Sequence, residues 1–79
     1  MQEKIIQVLV DYLGIERELI MLHSQFERDF CMDPLDFKQL IRKVEIVTNT
    51  NISDSKISEL LTVYDLIEYI EEVNLQYNY

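Results

Sequence analysis

The sequence predicts an all-α fold, a bundle of three main helices, one short third helix and a long first loop, in a single domain spanning residues 1–79. Apolar residues recur at helical spacing in three separate segments, and one Gly and one Pro are too few turn residues for an all-β chain. The chain has 79 residues and is 48% hydrophobic, which is enough for one core. A single cysteine excludes an internal disulfide, so packed helices must stabilise this small domain.

The first helix is predicted over residues 2–13. Its apolar face combines Ile5, Val8, Leu9, Tyr12 and Leu13. Gly14 follows where a helix commonly ends in a left-handed residue. Residues 15–32 have no clean period and are predicted to form a long loop with a short helical turn, held against the bundle by its apolar side chains.

The second helix has the clearest start in the sequence. Asp33 suits the N-cap position, and Pro34 at the first helical position needs no backbone N–H. The residues predicted to face the core share one arc of the helix: Phe37, Leu40, Ile41, Val44 and Val47. Residues 48–51 are poor helix formers and should end the helix.

Two further helices complete the prediction. Ser53 or Asp54 caps a short third helix that extends to about Leu61. Residues 62–65 resemble a capping box and start the last helix. Its inward residues are Val63, Leu66, Ile67, Ile70 and Val73, and its outward residues are Asp65, Glu68, Glu71 and Glu72. The tail over residues 74–79 is expected to fray.

The charge of the chain excludes several classes of function. Fifteen acidic side chains against seven basic ones give a formal net charge of −8, which opposes binding to nucleic acid. No stretch approaches the roughly 18 uninterrupted apolar residues of a membrane span, and the first residues do not read as a secretory signal. A cytoplasmic protein is therefore expected. The chain has no phosphate-binding loop or paired catalytic motif, so a non-enzyme is predicted.

Five short motifs, in order, resemble the acyl carrier protein family over residues 3–73. They are Leu13–Ile15, Phe26–Phe30, Asp33–Asp36, Asn51–Asp54 and Leu61–Val63. The resemblance implies a four-helix carrier bundle. It also implies an Asp-Ser-Leu motif at the start of the second helix, whose Ser would carry 4′-phosphopantetheine. In this sequence Pro34 stands at that position, and proline has no hydroxyl to form the phosphodiester. We therefore expect no prosthetic group at Pro34.

Two further departures from the family concern the same region. The resemblance implies an acidic second helix, whereas residues 38–52 hold one acid and three bases, a net charge of +2. The bases are Lys38, Arg42 and Lys43. Cys31 and Met32 stand where the family commonly has Gly and a small residue, so the loop entering the site should be bulkier.

The outer face of the second helix is predicted to be a docking surface. Leu35, Gln39, Arg42 and Ile46 follow one another at helical spacing, and we call them the stripe. Lys38 and Lys43 are predicted to flank it. Apolar residues rimmed by charge are typical of interfaces, and this charge predicts a protein partner with an acidic docking surface. The alternative is an ordinary solvated face, or Ile46 folded under the following loop.

Three other groups of residues suggest further chemistry, and each also has a simpler interpretation. Cys31 could carry an acyl group as a thioester, or it could be a small buried or half-buried hydrophobic residue. His23, Ser24 and Asp29 could form a catalytic triad only in an arrangement that one loop is unsuited to build. Asp29, Asp33 and Asp36 could weakly hold a divalent ion, although their spacing matches no calcium loop.

Two functional hypotheses follow. The first is a carrier-like interaction or regulatory module without a prosthetic group. The second is a working acyl or aminoacyl carrier that uses another attachment point, for which Asp54-Ser55 is the only Asp-Ser pair in the sequence.

Overall fold

The structure is a computed structural model that describes the backbone of residues 1–77 and side chains as far as Asn74. Helix α1 spans Gln2–Leu13, α2 Pro34–Thr48, α3 Asp54–Ile57 and α4 Val63–Tyr77, and a 3₁₀ turn covers Arg17–Leu19. The described residues form helices and loops with one isolated bridge. The predicted all-α fold class is confirmed, and so is a short helical turn in the first loop.

Helices α1 and α2 end as the local sequence predicts. Gly14 closes α1 with a φ of 66°, and its N–H donates to the carbonyl of Val10. Asn49 closes α2 in the same left-handed region, with a φ of 53°. At the start of α2 the Asp33 carboxylate accepts from the N–H of Asp36 at 2.8 Å. This cap fixes where the second helix begins.

One hydrophobic core joins the helices and the first loop. Its fully buried side chains come from α1, α2 and α4: Ile5, Leu9, Leu40, Ile41, Val44, Val63, Leu66 and Ile70. From the loops Ile20, Phe26, Met32, Ile52 and Leu60 are also buried. The inward faces predicted for α1 and α4 agree with this core, with Tyr12, Leu13 and Val73 half-buried.

Two assignments of the core were wrong. Val47 was predicted to face inward, but 46% of it is exposed. Val47 lies at the edge of the predicted arc, and the next residue, Thr48, occupies the buried direction; its hydroxyl donates to the carbonyl of Val44 at 2.7 Å. Ile6 is buried although it was left out of the predicted face, because the buried arc of α1 is wide enough to include the neighbour of Ile5.

Two helix ends also differ from prediction. Helix α3 ends at Ile57 instead of Leu61. The chain continues in tighter turns, in which the N–H of Glu59 donates to the carbonyl of Lys56 and the N–H of Leu60 to the carbonyl of Ile57. Helix α4 continues to Tyr77, beyond the predicted end at Val73. No Gly or Pro interrupts it, and the Asn74 side chain donates to the carbonyl of Ile70 at 3.1 Å. The rest of the tail predicted to fray, residues 78–79, lies outside the described residues.

The first loop is fixed to the start of α4 by backbone pairing. The N–H of Phe26 donates to the carbonyl of Leu61 at 3.1 Å, and the N–H of Val63 donates to the carbonyl of Ser24 at 3.0 Å. The N–H of Tyr64 donates to the carbonyl of Leu22 at 2.8 Å. The loop carbonyls thus satisfy two of the amide groups that the first turn of a helix leaves without an internal partner.

The sequence predicts that the apolar side chains of this loop hold it against the bundle. The structure confirms this for some of them. Ile20 and Phe26 are buried, and Ile15 and Phe30 are half-buried. Leu19 and Leu22 are exposed. A salt bridge of 2.6 Å between Arg17 and Glu3 adds a polar link from the 3₁₀ turn to α1.

The backbone at Cys31 generates a stability prediction. Cys31 has a φ of 54° and an exposed side chain. Replacing it with glycine removes the left-handed strain but adds freedom to the unfolded chain, so we expect Cys31→Gly to raise the free energy of unfolding by up to about 1 kcal/mol. Cys31→Val should lower it by about 1–2 kcal/mol, because a β-branched residue tolerates this region poorly. Urea unfolding of both variants beside the wild type measures the difference, and equal stability of the two would contradict the assignment.

Candidate functional site

Pro34 occupies the first position of α2 and is exposed. The Asp33 side chain caps the helix through Asp36, and the N–H of Phe37 donates to the Asp33 carbonyl at 3.0 Å. Proline lacks a backbone N–H, but this helix position has no internal acceptor for one. The start of α2 therefore accepts proline without losing a hydrogen bond, and the side chain offers no group for covalent chemistry.

A groove of about 440 Å³ opens beside Pro34, between the first loop, the start of α2 and α3. Nothing in the sequence pattern predicts this groove. Its floor is apolar and comes from Phe26, Met32 and Leu60, which are buried. Phe37 and Ile57 line its sides, and the ring centroids of Phe26 and Phe37 lie 4.6 Å apart.

The mouth of the groove is acidic. Glu27, Asp33 and Asp54 line it with exposed side chains. Lys38 also lines it, and its Nζ lies 3.5 Å from Asp54 Oδ1, which links α2 to α3. Leu61 adds an apolar rim residue that is 62% exposed. The groove thus combines an apolar interior with three carboxylates and one partly neutralised ammonium group.

The stripe on α2 lies at the surface. Leu35 is 66% exposed and Ile46 81%, so Ile46 is not folded under the following loop. Gln39 is exposed as well, and the Tyr12 hydroxyl on α1 lies 3.4 Å from its Oε1. Arg42 is exposed, with its guanidinium 4.0 Å from the carboxylate of Glu45. The stripe therefore presents two aliphatic side chains with an amide and a guanidinium between them.

The two flanking lysines have different surroundings. Lys43 is exposed. Lys38 is half-buried and is paired with Asp54, so its charge belongs to the mouth of the groove. Sequence spacing places both lysines beside the stripe, but it contains no information about the neighbour on α3. Arg42 and Lys43 are therefore the fully solvent-facing cations on this side of α2.

Glu45, the only acid in residues 38–52, has a structural role. Its Oε2 accepts from the N–H of Ile52 at 2.8 Å, and its side chain is only 18% exposed. This contact holds the segment after α2 against the helix. Sequence spacing does not reveal this contact, because the two residues are seven positions apart and only one of them contributes a side chain.

Cys31 is exposed in the left-handed region, so the interpretation as a buried or half-buried hydrophobic residue was wrong. The reason lies in the backbone: a positive φ at Cys31 is followed by Met32, whose side chain is the buried one. Of the two bulkier residues before Asp33, Cys31 faces solvent and Met32 lies in the floor of the groove.

The residues considered for a triad are engaged elsewhere. The Ser24 hydroxyl accepts from the N–H of Met21 at 3.1 Å, and Ser24 is buried. The Asp29 carboxylate accepts from the N–H of Gln25 at 2.6 Å, and His23 is exposed. Both polar groups stabilise turns of the first loop. Over the described part of the chain, no cluster of three or more His, Cys, Asp or Glu side chains is arranged to hold a metal ion.

The remaining serines lie within α3 or at its two ends and make local hydrogen bonds. The Ser53 hydroxyl caps α3 by accepting from the N–H of Lys56 at 3.3 Å, and it lies 3.2 Å from the hydroxyl of Ser55. The Ser58 hydroxyl donates to the carbonyl of Ser55 at 2.8 Å. These contacts occupy the hydroxyl of Ser53 as an acceptor and that of Ser58 as a donor.

The outer face of α4 is acidic, with Glu68, Glu71 and Glu72 exposed. Its first turn is closed by a reciprocal cap, in which Asp65 accepts from the N–H of Thr62 and the Thr62 hydroxyl accepts from the N–H of Asp65, both at 3.1 Å. The predicted capping box is thereby confirmed. A hydrogen bond to Glu68 and the charge of its carboxylate raise the pKa of Tyr64 above its usual value of 10.0. Among the residues described, no helix is long and apolar enough to span a bilayer.

Comparison with known proteins assigns most of the chain to one family. The family model described as "Phosphopantetheine attachment site" matches residues 3–70. An acyl carrier protein of Phytoplasma australiense is 34% identical over 70 residues, which cover 89% of this chain and 92% of that protein. The match extends from α1 into α4 and includes the groove and the stripe.

The exposure of the stripe predicts how substitutions on α2 affect stability. Ile46→Ala and Leu35→Ala should change the free energy of unfolding by no more than about 0.5 kcal/mol, because both side chains face solvent. Ile41→Ala on the same helix should cost about 2–5 kcal/mol, because Ile41 is fully buried. Thermal and urea melts of the three variants check this, and a large loss on Ile46→Ala would place that side chain in the core.

Proposed function

This chain belongs to the acyl carrier protein family, and we propose that it acts there as a module without a prosthetic group that binds a protein partner through its surface. Proteins of this family are carriers and not catalysts, which agrees with a non-enzyme. Among them, 4′-phosphopantetheine is the group that holds the cargo.

The observation that carries the proposal is Pro34 at the first position of α2. By resemblance this position matches the attachment serine of the family. A proline there has no hydroxyl oxygen, so it cannot form the phosphodiester to phosphopantetheine. The Asp33 side chain still caps α2 with proline at this position. The missing hydroxyl therefore removes the attachment chemistry but does not disturb the start of the helix.

The charge of α2 supports the same conclusion. Lys38, Arg42 and Lys43 lie on the helix that, in the family, is acidic and is recognised by basic surfaces of partner enzymes. Like charges facing each other across an interface cost affinity and slow association. A chain that departs from the family at both the attachment position and the recognition helix is best explained as an altered module.

A carrier with another attachment point has little structural support. Ser24 is buried, Ser53 caps α3, and Ser58 donates to the backbone. Ser55 is exposed, but it lies inside the four-residue α3 and contacts the Ser53 hydroxyl.

The partner proposed for the stripe presents an acidic, amphipathic surface. Leu35 and Ile46 supply apolar contact, and Arg42 within the stripe and Lys43 beside it supply positive charge. Residues of this kind bind by burying the aliphatic groups, while the charges guide the approach.

Incubation of the wild-type chain with a phosphopantetheinyl transferase and coenzyme A should give no increase in intact mass. A conventional acyl carrier protein in the same reaction is the positive control. A quantitative mass increase that maps to any serine of this chain would overturn the proposal, because the prosthetic group would then be present.

Two features oppose modification, the missing hydroxyl at Pro34 and the positive charge of α2. Pro34→Ser restores the hydroxyl alone and so tests them separately. The variant should fold and lose at most about 0.4–1 kcal/mol of stability, because proline restricts the unfolded chain more than serine does. Modification should remain poor, since Lys38 and Arg42 repel a basic transferase surface. The variant that also carries Lys38→Glu and Arg42→Glu should be modified faster. Efficient modification of Pro34→Ser alone would show that the charge of α2 is no barrier.

Binding by the stripe can be measured with a synthetic amphipathic helical peptide that has leucine on one face and glutamate on the other. Ile46→Ala should raise the off-rate, because it removes apolar contact worth about 1–2 kcal/mol. Lys43→Glu should slow association and reduce its salt dependence. Glu71→Gln on the outer face of α4 is the matched control and should leave both rates unchanged. Binding that survives the first two changes would place the interface elsewhere.

A further inference from the structure

A cleft of about 220 Å³ opens between α3 and α4, and its charge is opposite to that of the stripe. Its lining residues are Lys56, Glu59, Leu60, Tyr64, Asp65, Glu68, Tyr69 and Glu72. Four of them carry a carboxylate and one carries an ammonium group, so we call this surface the acidic cleft. Leu60 and the two tyrosine rings make part of the lining apolar.

The one lysine of the acidic cleft is engaged within the molecule. Lys56 Nζ lies 4.9 Å from the centroid of the Tyr69 ring and 3.8 Å from the carboxylate of Glu59. Glu68 and Glu72 line the cleft from α4 with exposed side chains. The acidic cleft therefore attracts a further cation, and its aromatic residues favour one that brings apolar surface with it.

We propose that the acidic cleft binds the stripe of a second copy of this chain, which rests on the function proposed for the stripe and names its partner. The charges of the two segments are complementary. Residues 38–52 have a net charge of +2, whereas residues 53–79 hold six acids and one base, a net charge of −5. Each copy thus offers one basic and one acidic surface, and the contact joins unlike surfaces.

Arg42 is the residue of the stripe that best fits the acidic cleft. Its side chain is 68% exposed, and its guanidinium lies as far as 4.0 Å from the carboxylate of Glu45. A guanidinium binds carboxylates with two parallel hydrogen bonds and stacks on aromatic rings. Glu68 supplies the carboxylate, and Tyr64 supplies a ring that is 52% exposed. Ile46, one turn further along α2 and 81% exposed, adds apolar surface to the same contact.

The net charge of the chain limits the strength of this contact. Each copy carries a formal charge of −8, so two copies repel each other at long range. At physiological ionic strength the Debye length is about 8 Å, which screens distant charges but not a pair in direct contact. One helix face on a small cleft is also less than a standard interface, so we expect a transient association that depends on concentration.

Sedimentation equilibrium of the full chain tests the proposal. The average mass of the wild type should rise above that of one copy as the concentration approaches about 1 mM. Arg42→Glu and Glu68→Lys should each weaken the association at least about tenfold, because each places like charges across the contact. Glu71→Lys makes the same charge change on an exposed residue of α4 outside the cleft lining, and it should associate as the wild type does.

Mixing the two impaired variants shows whether the two surfaces meet each other. The Arg42→Glu chain keeps an intact acidic cleft, and the Glu68→Lys chain keeps an intact stripe. An equimolar mixture should therefore regain the association that each variant has lost alone. All three substituted residues are exposed, and thermal melts verify that the variants are folded. A mixture that stays at the mass of one copy would overturn the proposal, and so would an equal loss in Glu71→Lys.

The peptide measurement on the stripe distinguishes this proposal from the function on which it rests. A wild-type chain that stays at the mass of one copy but binds the glutamate-faced peptide would overturn self-association and leave the function of the stripe in place. Failure of both measurements would overturn both. Self-association that is unchanged in Arg42→Glu would overturn the pairing of the stripe with the acidic cleft.

Discussion

The backbone pairing between the first loop and the start of α4 is the constraint on which the site depends. The loop runs from Gly14 to Asp33, and its long path is ordered because its carbonyls accept the first amides of α4. The same pairing delivers Phe26 to the core and, through the N–H of Met32 bonded to the Phe26 carbonyl, aligns the chain for its entry into α2. The floor of the groove and the position of Pro34 both follow from this arrangement.

The parts of the fold that depend on neighbouring residues could be predicted from the sequence. Asp33 with Asp36, Gly14, and Thr62 with Asp65 are caps whose donor and acceptor lie within a few residues, so local spacing reveals them. The pairing of the first loop with the start of α4 could not be predicted, because its hydrogen bonds join backbone groups and do not require particular residue types. The pairing of Lys38 with Asp54 and the contact of Glu45 with Ile52 likewise require knowledge of which segments meet.

The start and the outer face of α2 lie outside the part of the helix that is buried in the core. Proline at the start of α2 satisfies every local requirement of that helix, and the cationic residues of α2 lie outside the buried arc formed by Leu40, Ile41 and Val44. Substitutions at Pro34 and on the outer face of α2 are therefore nearly independent of the core. A fold organised in this way can change its surface without a loss of packing.

The exposed thiol of Cys31 gives the molecule a built-in reporter position. It is the only cysteine in the chain, its side chain points to solvent, and the next residue, Met32, lies in the floor of the groove. A fluorophore or spin label coupled to this sulfur would be specific without removal of any other residue. Its short backbone connection to the groove would make the emission or the line shape of such a label sensitive to occupancy of that surface.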